Sequence, residues 1–211
     1  GIGKLLKKCF PADHELILSL VHYIVHKGGA LSGAEPWSAA CLHPFGDVIA
    51  SQRVSELLRR LSADERERFL SLWLEHVQED DWLCYDITSV SSYSRHNEYT
   101  HFGYNRDGES LEQVNLAMLF GQNSGLPAHY RRLPGNISDV STLRTTVKSL
   151  DFLGAGTLHL VLDRGFYSVA NLDALFSRRH KFTIAVPAGR KWVEEILDKH
   201  CDSIASPANY L

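Results

Sequence analysis

The spacing of apolar residues divides the chain into a helical first part and a second part of mixed strands and helices. Up to about residue 80, apolar residues recur every three or four positions, as on the buried face of an amphipathic helix. Residues 15–27 and 52–61 form two such segments, and residues 37–46 are predicted to connect them. Residues 62–65 read Ser-Ala-Asp-Glu, a capping-box sequence that predicts the start of a further helix.

Beyond residue 80, short apolar runs alternate with turn residues, which is typical of strands. The first run leads into Asp86, and the fourth, residues 158–162, leads into Asp163. Two apolar runs between them flank the sequence Gly-Gln-Asn-Ser-Gly at residues 121–125, which predicts a hairpin. With a helix on each side of the fourth strand and a fifth strand at residues 181–186, the predicted order is β-β-β-α-β-α-β.

The two predicted helices around the fourth strand each carry one apolar stripe. Ser138 or Asp139 would cap the first of these helices, and Ser168 would cap the second. We expect the stripes to face the sheet, because residues three and four positions apart share one side of a helix. The first stripe consists of Val140, Leu143, Val147, Leu150 and Leu153, and the second of Val169, Leu172, Leu175 and Phe176.

This order of elements decides which strands can be neighbours. Three strands joined by short connections form a meander, and a crossover helix then places the fourth strand beside the first and parallel to it. The expected fold is an α/β, ribonuclease-H-like mixed sheet preceded by a helical amino-terminal region. We predict two domains: residues 1–80, a DNA-binding or dimerisation part, and residues 81–211, with Asp86 and Asp163 at neighbouring strand ends.

Two aspartates at neighbouring strand ends suggest a particular chemistry. Ligands and catalytic groups of open α/β sheets collect at the carboxyl ends of the strands. Adjacent carboxylates repel each other unless a cation lies between them, and Mg²⁺ prefers such oxygen ligands. Asp86 and Asp163 therefore indicate metal-assisted phosphoryl transfer. The alternative is that an aspartate after a strand merely forms a turn or caps a helix.

Composition narrows the class of protein. The chain has 211 residues, of which 44% are hydrophobic and 22% are charged, as in an ordinary protein with a packed core. The four cysteines form no CxxC pair, which fits a reducing cytoplasm. The longest apolar run, residues 16–25, is too short to span a bilayer, so we predict no membrane partner. Because the chain begins at Gly1 and has Met118 as its only methionine, we expect it to be a fragment.

The net charge of −3 is unusual for a protein whose whole surface grips nucleic acid. Basic residues are nevertheless clustered, and three of them are candidate DNA contacts: Arg164 beside the second aspartate, and the neighbours Arg131 and Arg132. Arg164 could pair with a carboxylate instead. Each basic cluster could equally be an ordinary solvated face.

Three motifs resemble those of the DDE transposases of the IS4 superfamily, and most of all its IS1634-like branch of bacterial insertion sequences. They are YDITS at residues 85–89, PGNISD at residues 134–139 and LDRGFYS at residues 162–168. The resemblance covers residues 81 to about 187. Asp86 and Asp163 match the catalytic aspartates of that family.

This resemblance implies a magnesium-dependent endonuclease and strand transferase, with Mn²⁺ as a possible substitute. Its partners would be double-stranded DNA, both the terminal inverted repeats of the element and the target. It implies two metal ions held by an acidic triad, with Asp86 bridging both, one activating water or the DNA 3′-hydroxyl and the other stabilising the leaving oxygen. It further implies a homodimer on DNA in the bacterial cytoplasm, associated with the nucleoid.

The chain departs from the family pattern at the third acid. The family has a glutamate in a Tyr-x2-Arg-x3-Glu-x6-Lys motif, which follows a β-rich insertion after the fifth strand. No such motif occurs before Leu211, and Glu194 and Glu195 follow the fifth strand too closely and lack the Tyr and Arg. We therefore expect a catalytic domain that is incomplete at its carboxyl end, with no third acidic residue in this chain.

Three alternatives stay open at this point. Asp139 could support the active site instead of capping a helix. A phosphatase could use Asp86 as its nucleophile, although such enzymes need a second aspartate where this chain has Thr88. Finally, a truncated, catalytically inactive transposase remnant could bind DNA or a partner without cleaving DNA.

Overall fold

In a computed structural model the chain divides into two compact units, Gly1–His76 and Val77–Leu211. The structure describes residues 1–77, 82–94, 96–103, 108, 110–137, 139–204 and 206, with only the backbone of residues 139, 202 and 204. The predicted domain limit, between residues 80 and 81, lies outside the described residues and stays a prediction. Among the described residues, no helix has the length and hydropathy needed to cross a membrane.

The amino-terminal part is helical, as predicted. Aliphatic and aromatic side chains from several helices form its main core, which includes the fully buried Ile49 and Leu57. A second cluster is built around Leu6, Cys9 and Phe10. The helices of the described amino-terminal part are α1 (Ile2–Cys9), α2 (His14–Lys27), α3 (Ala34–Ala40), α4 (Ser51–Arg60) and α5 (Ala63–Val77), with a 3₁₀ turn at Leu31–Gly33.

The predicted connection at residues 37–46 is partly wrong, because its first four residues complete α3. Trp37 is buried, and its ring lies edge-on to that of Tyr23 with 5.5 Å between the ring centroids. Pro36 lies in the first turn of the helix, where a missing N–H costs no hydrogen bond. The buried ring of Trp37 thus helps to hold α3 together at residues where apolar side chains do not recur with helical spacing.

The capping box at residues 62–65 forms as predicted. Ser62 Oγ accepts a hydrogen bond from Glu65 N at 3.2 Å, and Ser62 N donates to Glu65 Oε2 at 2.9 Å. The backbone hydrogen bond from Ser62, followed by that from its hydroxyl, lowers the pKa of the Glu65 carboxyl. Two N–H groups at the start of α5 are therefore satisfied by side chains.

The second unit contains a mixed sheet with the strand order β3-β2-β1-β4-β5. The first three strands are antiparallel neighbours, β4 is parallel to β1, and β5 is parallel to β4. This confirms the predicted ribonuclease-H-like arrangement. The described strands are β1 (Trp82–Ser91), β2 (Gln113–Gly121), β3 (Pro127–Pro134), β4 (His159–Leu162) and β5 (Lys181–Ile184). The helices are α6 (Asp139–Phe152), α7 (Val169–Ser177) and α8 (Lys191–Ile204), with a 3₁₀ turn at Arg164–Phe166.

One face of the sheet forms the core of this unit. Alternate residues of β1 are buried, and the hydroxyl of Tyr85 hydrogen-bonds Thr142 Oγ1 at 3.1 Å and Thr146 Oγ1 at 3.0 Å, both on α6. Each large apolar side chain buried here stabilises the fold by roughly 1.5–3 kcal/mol. The core residues are Leu83, Tyr85, Ile87, Ala117, Leu119, Leu143, Val147, Leu150, Leu160, Leu162, Phe166 and Leu175.

The predicted inner face of α7 is partly wrong. Ser168 does cap the helix, since its Oγ accepts a hydrogen bond from Asn171 N at 3.2 Å. However, Val169 and Phe176 are 71% and 66% exposed, whereas Asn171 is fully buried together with Leu175. Asn171 and Leu175 thus form the buried side of α7, and Val169 lies away from it. Phe176, although exposed, contacts β5, with 5.1 Å between its ring centroid and that of Phe182. Val140, at the start of the stripe on α6, is also exposed.

A buried histidine on β3 makes the stability of this unit depend on pH. His129 is only 6% exposed, and neither ring nitrogen has a hydrogen-bond partner in the described part of the chain. Burial, and to a lesser extent the positive charge of Arg131, lower the pKa of His129 from 6.5 to about 4. The folded protein therefore keeps this ring neutral at pH values where the unfolded chain is protonated.

We predict that His129 makes the free energy of unfolding depend on pH only below about pH 6.5. Between this pH and about pH 4 the free energy of unfolding should fall as the pH is lowered. The unfolded state binds the proton in this window, so the loss reaches about 3 kcal/mol below pH 4. His129→Leu should remove this part of the pH dependence in urea unfolding at several pH values. Burial also lowers the pKa of His180, so that a smaller dependence should remain.

The exposed His200, replaced by Gln, is the control for the loss of an imidazole. His200→Gln should keep the pH dependence of the wild type. An unchanged pH profile in His129→Leu would contradict the assignment.

Candidate active site

Asp86 and Asp163 lie beside each other where the parallel strands β1 and β4 pair, but only Asp163 is at a strand end. Asp86 lies in the middle of β1, which continues to Ser91, so the predicted position of Asp86 at a strand end is wrong. The register of β1 and β4 pairs Tyr85 with Leu162, and each aspartate is the next residue of its chain segment. Adjacent strands are separated by about 4.8 Å, so the two Cα atoms lie roughly 5 Å apart. Because Tyr85 and Leu162 both point into the core, the two carboxylates project from the opposite face of the sheet, where both residues are exposed.

Backbone amides orient both carboxylates. Asp86 Oδ1 accepts a hydrogen bond from Ile87 N at 2.8 Å, and Asp163 Oδ1 accepts one from Arg164 N at 2.6 Å. No hydrogen bond from the described part of the chain reaches Oδ2 of either residue. Each carboxylate thus has one oxygen engaged with the backbone and one that is available to a ligand.

The structural and the functional interpretation of Asp163 turn out to be compatible. Asp163 caps the 3₁₀ turn at Arg164–Phe166 through Oδ1, as a turn-forming aspartate does. Oδ2 of this exposed residue accepts no hydrogen bond from the described part of the chain. Capping therefore positions the carboxylate and does not compete with binding.

The loop of the second motif is held by a buried amide network. Gln113 Nε2 donates to Gly135 O at 3.0 Å, and Asn115 Nδ2 donates to the carbonyls of Gly135 and Ile137 at 3.3 and 3.4 Å. A Cβ at position 135 would lie 2.0 Å from the carbonyl oxygen of Gln113. Position 135 must therefore be glycine, because the backbones approach too closely for any side chain.

Asn171 connects the third motif to the start of α6, a supporting role that was not predicted from the sequence. Its Nδ2 donates to Phe166 O at 2.7 Å and to Val140 O at 2.9 Å. The turn that follows Asp163 is thereby tied to the start of α6. The available signal was a polar residue three positions after the Ser168 cap, on the side of the helix that also carries Leu175.

The three candidate DNA-binding arginines have different environments. Arg164 is exposed, and no described carboxylate lies within 4.0 Å of it, so the alternative of an ion pair finds no partner there. Arg131 and Arg132 are consecutive residues of β3, so their side chains lie on opposite faces of the sheet. Arg131 is paired with Ala117 on the covered face and has one buried guanidinium nitrogen. Arg132 lies on the same face as Asp86, with its guanidinium 5.1 Å from the centre of the Tyr99 ring.

Further acidic residues do not join the pair in the described part of the chain. Glu194 and Glu195 lie near the start of α8 and are exposed, and Glu195 approaches Lys191 Nζ at 4.0 Å. No group of three His, Cys, Asp or Glu residues that could hold a metal exists among the described residues. Ser138 lies outside them, and the side chain of Asp139 does too. The choice between a capping and a supporting role for Asp139 therefore stays open.

The donor set of the site fits a divalent metal. Asp86 and Asp163 offer two exposed carboxylate oxygens on one face, and carboxylate oxygen is the ligand that Mg²⁺ and Mn²⁺ prefer. Mg²⁺ commonly binds through one or two carboxylates and takes its other ligands from water and substrate phosphate. Two carboxylates therefore suffice to hold the ion when a phosphate-containing substrate is present.

Comparison with known proteins identifies related domains. Residues 78–206, well over half of the chain, match the sequence model of a family described as "Transposase DDE domain". No curated protein matches the chain.

Three solved structures show weak similarity. The piggyBac transposase synaptic complex with hairpin DNA has 14% sequence identity and a TM-score of 0.49 over 93% of this chain and 43% of that chain. The Mos1 transposase paired-end complex with the left transposon end has 12% identity and a TM-score of 0.35 over 87% and 70% of the two chains. The Drosophila P element transposase strand transfer complex has 14% identity and a TM-score of 0.29 over 84% and 46%. The chain thus spans less than half of the piggyBac transposase chain.

We predict that Gly135→Ala destabilises the second unit by about 3 kcal/mol or more. The added Cβ would overlap the Gln113 carbonyl, so one backbone segment has to move. Urea unfolding measures the loss. Gly156→Ala is the matched control, because a Cβ there meets nothing within 4 Å, and its unfolding midpoint should stay near that of the wild type or rise slightly.

Asn171→Ala should lower the free energy of unfolding by about 3 kcal/mol. The substitution removes two buried hydrogen bonds and leaves the carbonyls of Phe166 and Val140 without them. Hydrogen exchange should also show faster opening at residues 164–168, which the Asn171 amide holds in place. Ser177→Ala, an exposed position on the same helix, should change stability by less than about 0.5 kcal/mol. Equal effects of the two substitutions would contradict the role given to Asn171.

Proposed function

We propose that this chain, which belongs to the transposase DDE domain family, cuts and joins DNA strands at the terminal inverted repeats of a mobile element. The observation that carries the proposal is the pair of exposed residues Asp86 and Asp163, which occupy neighbouring positions, Asp86 on β1 and Asp163 directly after its parallel neighbour β4. The family match supports a transposase and a nuclease or transferase enzyme in general. The magnesium-dependent cleavage and strand-transfer steps, and the assignment to the IS4 superfamily and its IS1634-like branch, are our inference from the motifs.

The residues of the site would have two roles, metal binding and phosphate binding. Asp86 and Asp163 would hold Mg²⁺, or Mn²⁺ in its place, through Oδ2, while the amides of Ile87 and Arg164 keep both carboxylates oriented through Oδ1. The metal supplies activation of the attacking hydroxyl and stabilisation of charge on the leaving oxygen. Arg164, exposed next to Asp163, would contact a phosphate of the cleaved strand.

The partner that fits this surface is double-stranded DNA, including the inverted repeats and the target. Asp86 and Arg132 lie on one exposed face of the sheet, and Arg132 is about 10 Å across it, on the second strand from β1. A phosphate backbone lying over this face would reach both the carboxylates and Arg132. We further propose that the enzyme acts as a homodimer on DNA, in the bacterial cytoplasm and associated with the nucleoid.

A second candidate function is a remnant that binds DNA or a partner without cleaving it. The observation in its favour is that the described residues bring together two carboxylates and no third acidic side chain. A site with two carboxylates binds metal and DNA but lacks one of the three acids that the family uses. Binding without metal-dependent cleavage would identify this function.

We predict that Asp86→Asn and Asp163→Asn each lower metal-dependent nicking of supercoiled DNA at least about a hundredfold, because each removes a charged ligand oxygen. Electron paramagnetic resonance of Mn²⁺ should show weaker binding in both variants, in the presence of DNA. Asp173→Asn, an exposed aspartate on α7, removes the same charge and should behave like the wild type.

The outcomes separate the two candidate functions. Wild-type Mn²⁺ binding that both site variants retain would refute the assignment of the aspartates. Wild-type binding of Mn²⁺ and DNA with no nicking in either Mg²⁺ or Mn²⁺ would establish the non-cleaving remnant.

A further inference from the structure

Besides Arg164, a second basic side chain lies beside the segment that follows Asp163. The guanidinium of Arg190 is positioned over the ring of Tyr167, 5.4 Å from its centre. Tyr167 directly follows the 3₁₀ turn that Asp163 caps, and Arg190 follows β5, the parallel neighbour of β4. The contact therefore joins the chain segments that leave the carboxyl ends of two adjacent strands.

The backbone around Arg190 is well determined. Its N–H donates to Pro187 O at 3.3 Å, and its carbonyl accepts hydrogen bonds from Val193 N at 2.8 Å and Glu194 N at 3.0 Å. Arg190 thus closes a turn and begins α8. With the backbone fixed and the ring of Tyr167 on one side, the guanidinium has a restricted position, although the residue is exposed.

Ion pairing within the described part of the chain does not account for the position of Arg190. No described carboxylate lies within 4.0 Å of Arg190. Arg190 and Lys191 stand at the amino end of α8, where the helix dipole disfavours positive charge. An anion bound at this place would pair with the Arg190 guanidinium and offset the positive charge at the amino end of α8. A flat guanidinium stacked on an aromatic ring keeps its N–H edge free for the two oxygens of a phosphate.

We propose that Arg190, positioned by Tyr167, binds a DNA backbone phosphate that flanks the bond cleaved at Asp86 and Asp163. This inference rests on the proposed function and adds a contact on the β5 side of the site. Arg132 lies on the other side, on β3, which is separated from β1 by β2. The DNA strand would then cross the carboxyl ends of the parallel strands with basic contacts before and after the aspartate pair.

Arg190→Gln tests this contact, and Arg179→Gln is its matched control. Arg179 is also exposed and loses the same charge, but it precedes β5 and so lies at the opposite end of that strand. Fluorescence anisotropy of a short labelled DNA duplex, measured over a range of salt concentrations, reports affinity. Losing one phosphate contact lowers the slope of log K against log salt by about 0.9, which corresponds to roughly eightfold weaker binding at 0.1 M salt. Arg179→Gln should change neither quantity.

Two substitutions of Tyr167 examine the supporting ring. Tyr167→Phe keeps the aromatic face and should bind the duplex like the wild type. Tyr167→Leu removes the face and should weaken binding in the same direction as Arg190→Gln, without a further loss in the double variant, because both act on one contact. Thermal unfolding of each variant verifies that the fold is kept.

The results distinguish failure of this inference from failure of the proposed function. If the wild type binds the duplex and Arg190→Gln retains its affinity and salt slope, the Arg190 contact is refuted while the proposed function stands. If the wild type neither binds the duplex nor nicks DNA, the proposed function fails and this inference fails with it.

Discussion

The parallel pairing of β1 with β4 is the constraint on which the candidate site depends. Its register places Tyr85 opposite Leu162 in the core and so places Asp86 beside Asp163 on the exposed face. A shift of either strand by one residue would turn its aspartate into the core. Burial of an unpaired carboxylate is strongly unfavourable, so the two charges and the buried apolar residues select the same register.

Hydrogen bonds outside the sheet hold the connections around this pairing. The amides of Gln113 and Asn115 hold the loop at Gly135, and Asn171 holds the turn after Asp163 against the start of α6. These side chains are buried, where hydrogen bonds exchange little with water and each lost partner is expensive. The exposed aspartates of the motifs therefore depend on buried side chains outside the motifs, which fix the backbone around the site.

Much of this fold could be predicted from local sequence, because apolar runs and turn residues locate the strands of the sheet. The end of β1 could not, because that strand continues to Ser91, beyond the apolar run that leads into Asp86. The adjacency of Asp86 and Asp163 followed from the order of the elements alone. The inner face of α7 could not be fully predicted from apolar periodicity, because a buried asparagine belongs to it and the apolar Val169 is mostly exposed. The contact between Tyr167 and Arg190 could not be predicted from the sequence either, because it joins two loops whose proximity depends on the tertiary structure.

The two oxygens of each aspartate differ in their partners, and this difference limits the ligands that the pair offers to a metal. Oδ1 is occupied by a backbone amide in both residues, so each carboxylate offers one oxygen outward and together they supply two ligand atoms. An ion that prefers six oxygen ligands must then take the others from water, from DNA phosphate or from a further acidic residue. On the proposed function, DNA is thus part of the metal site, and the basic residues that hold DNA also help to determine how firmly the metal is bound.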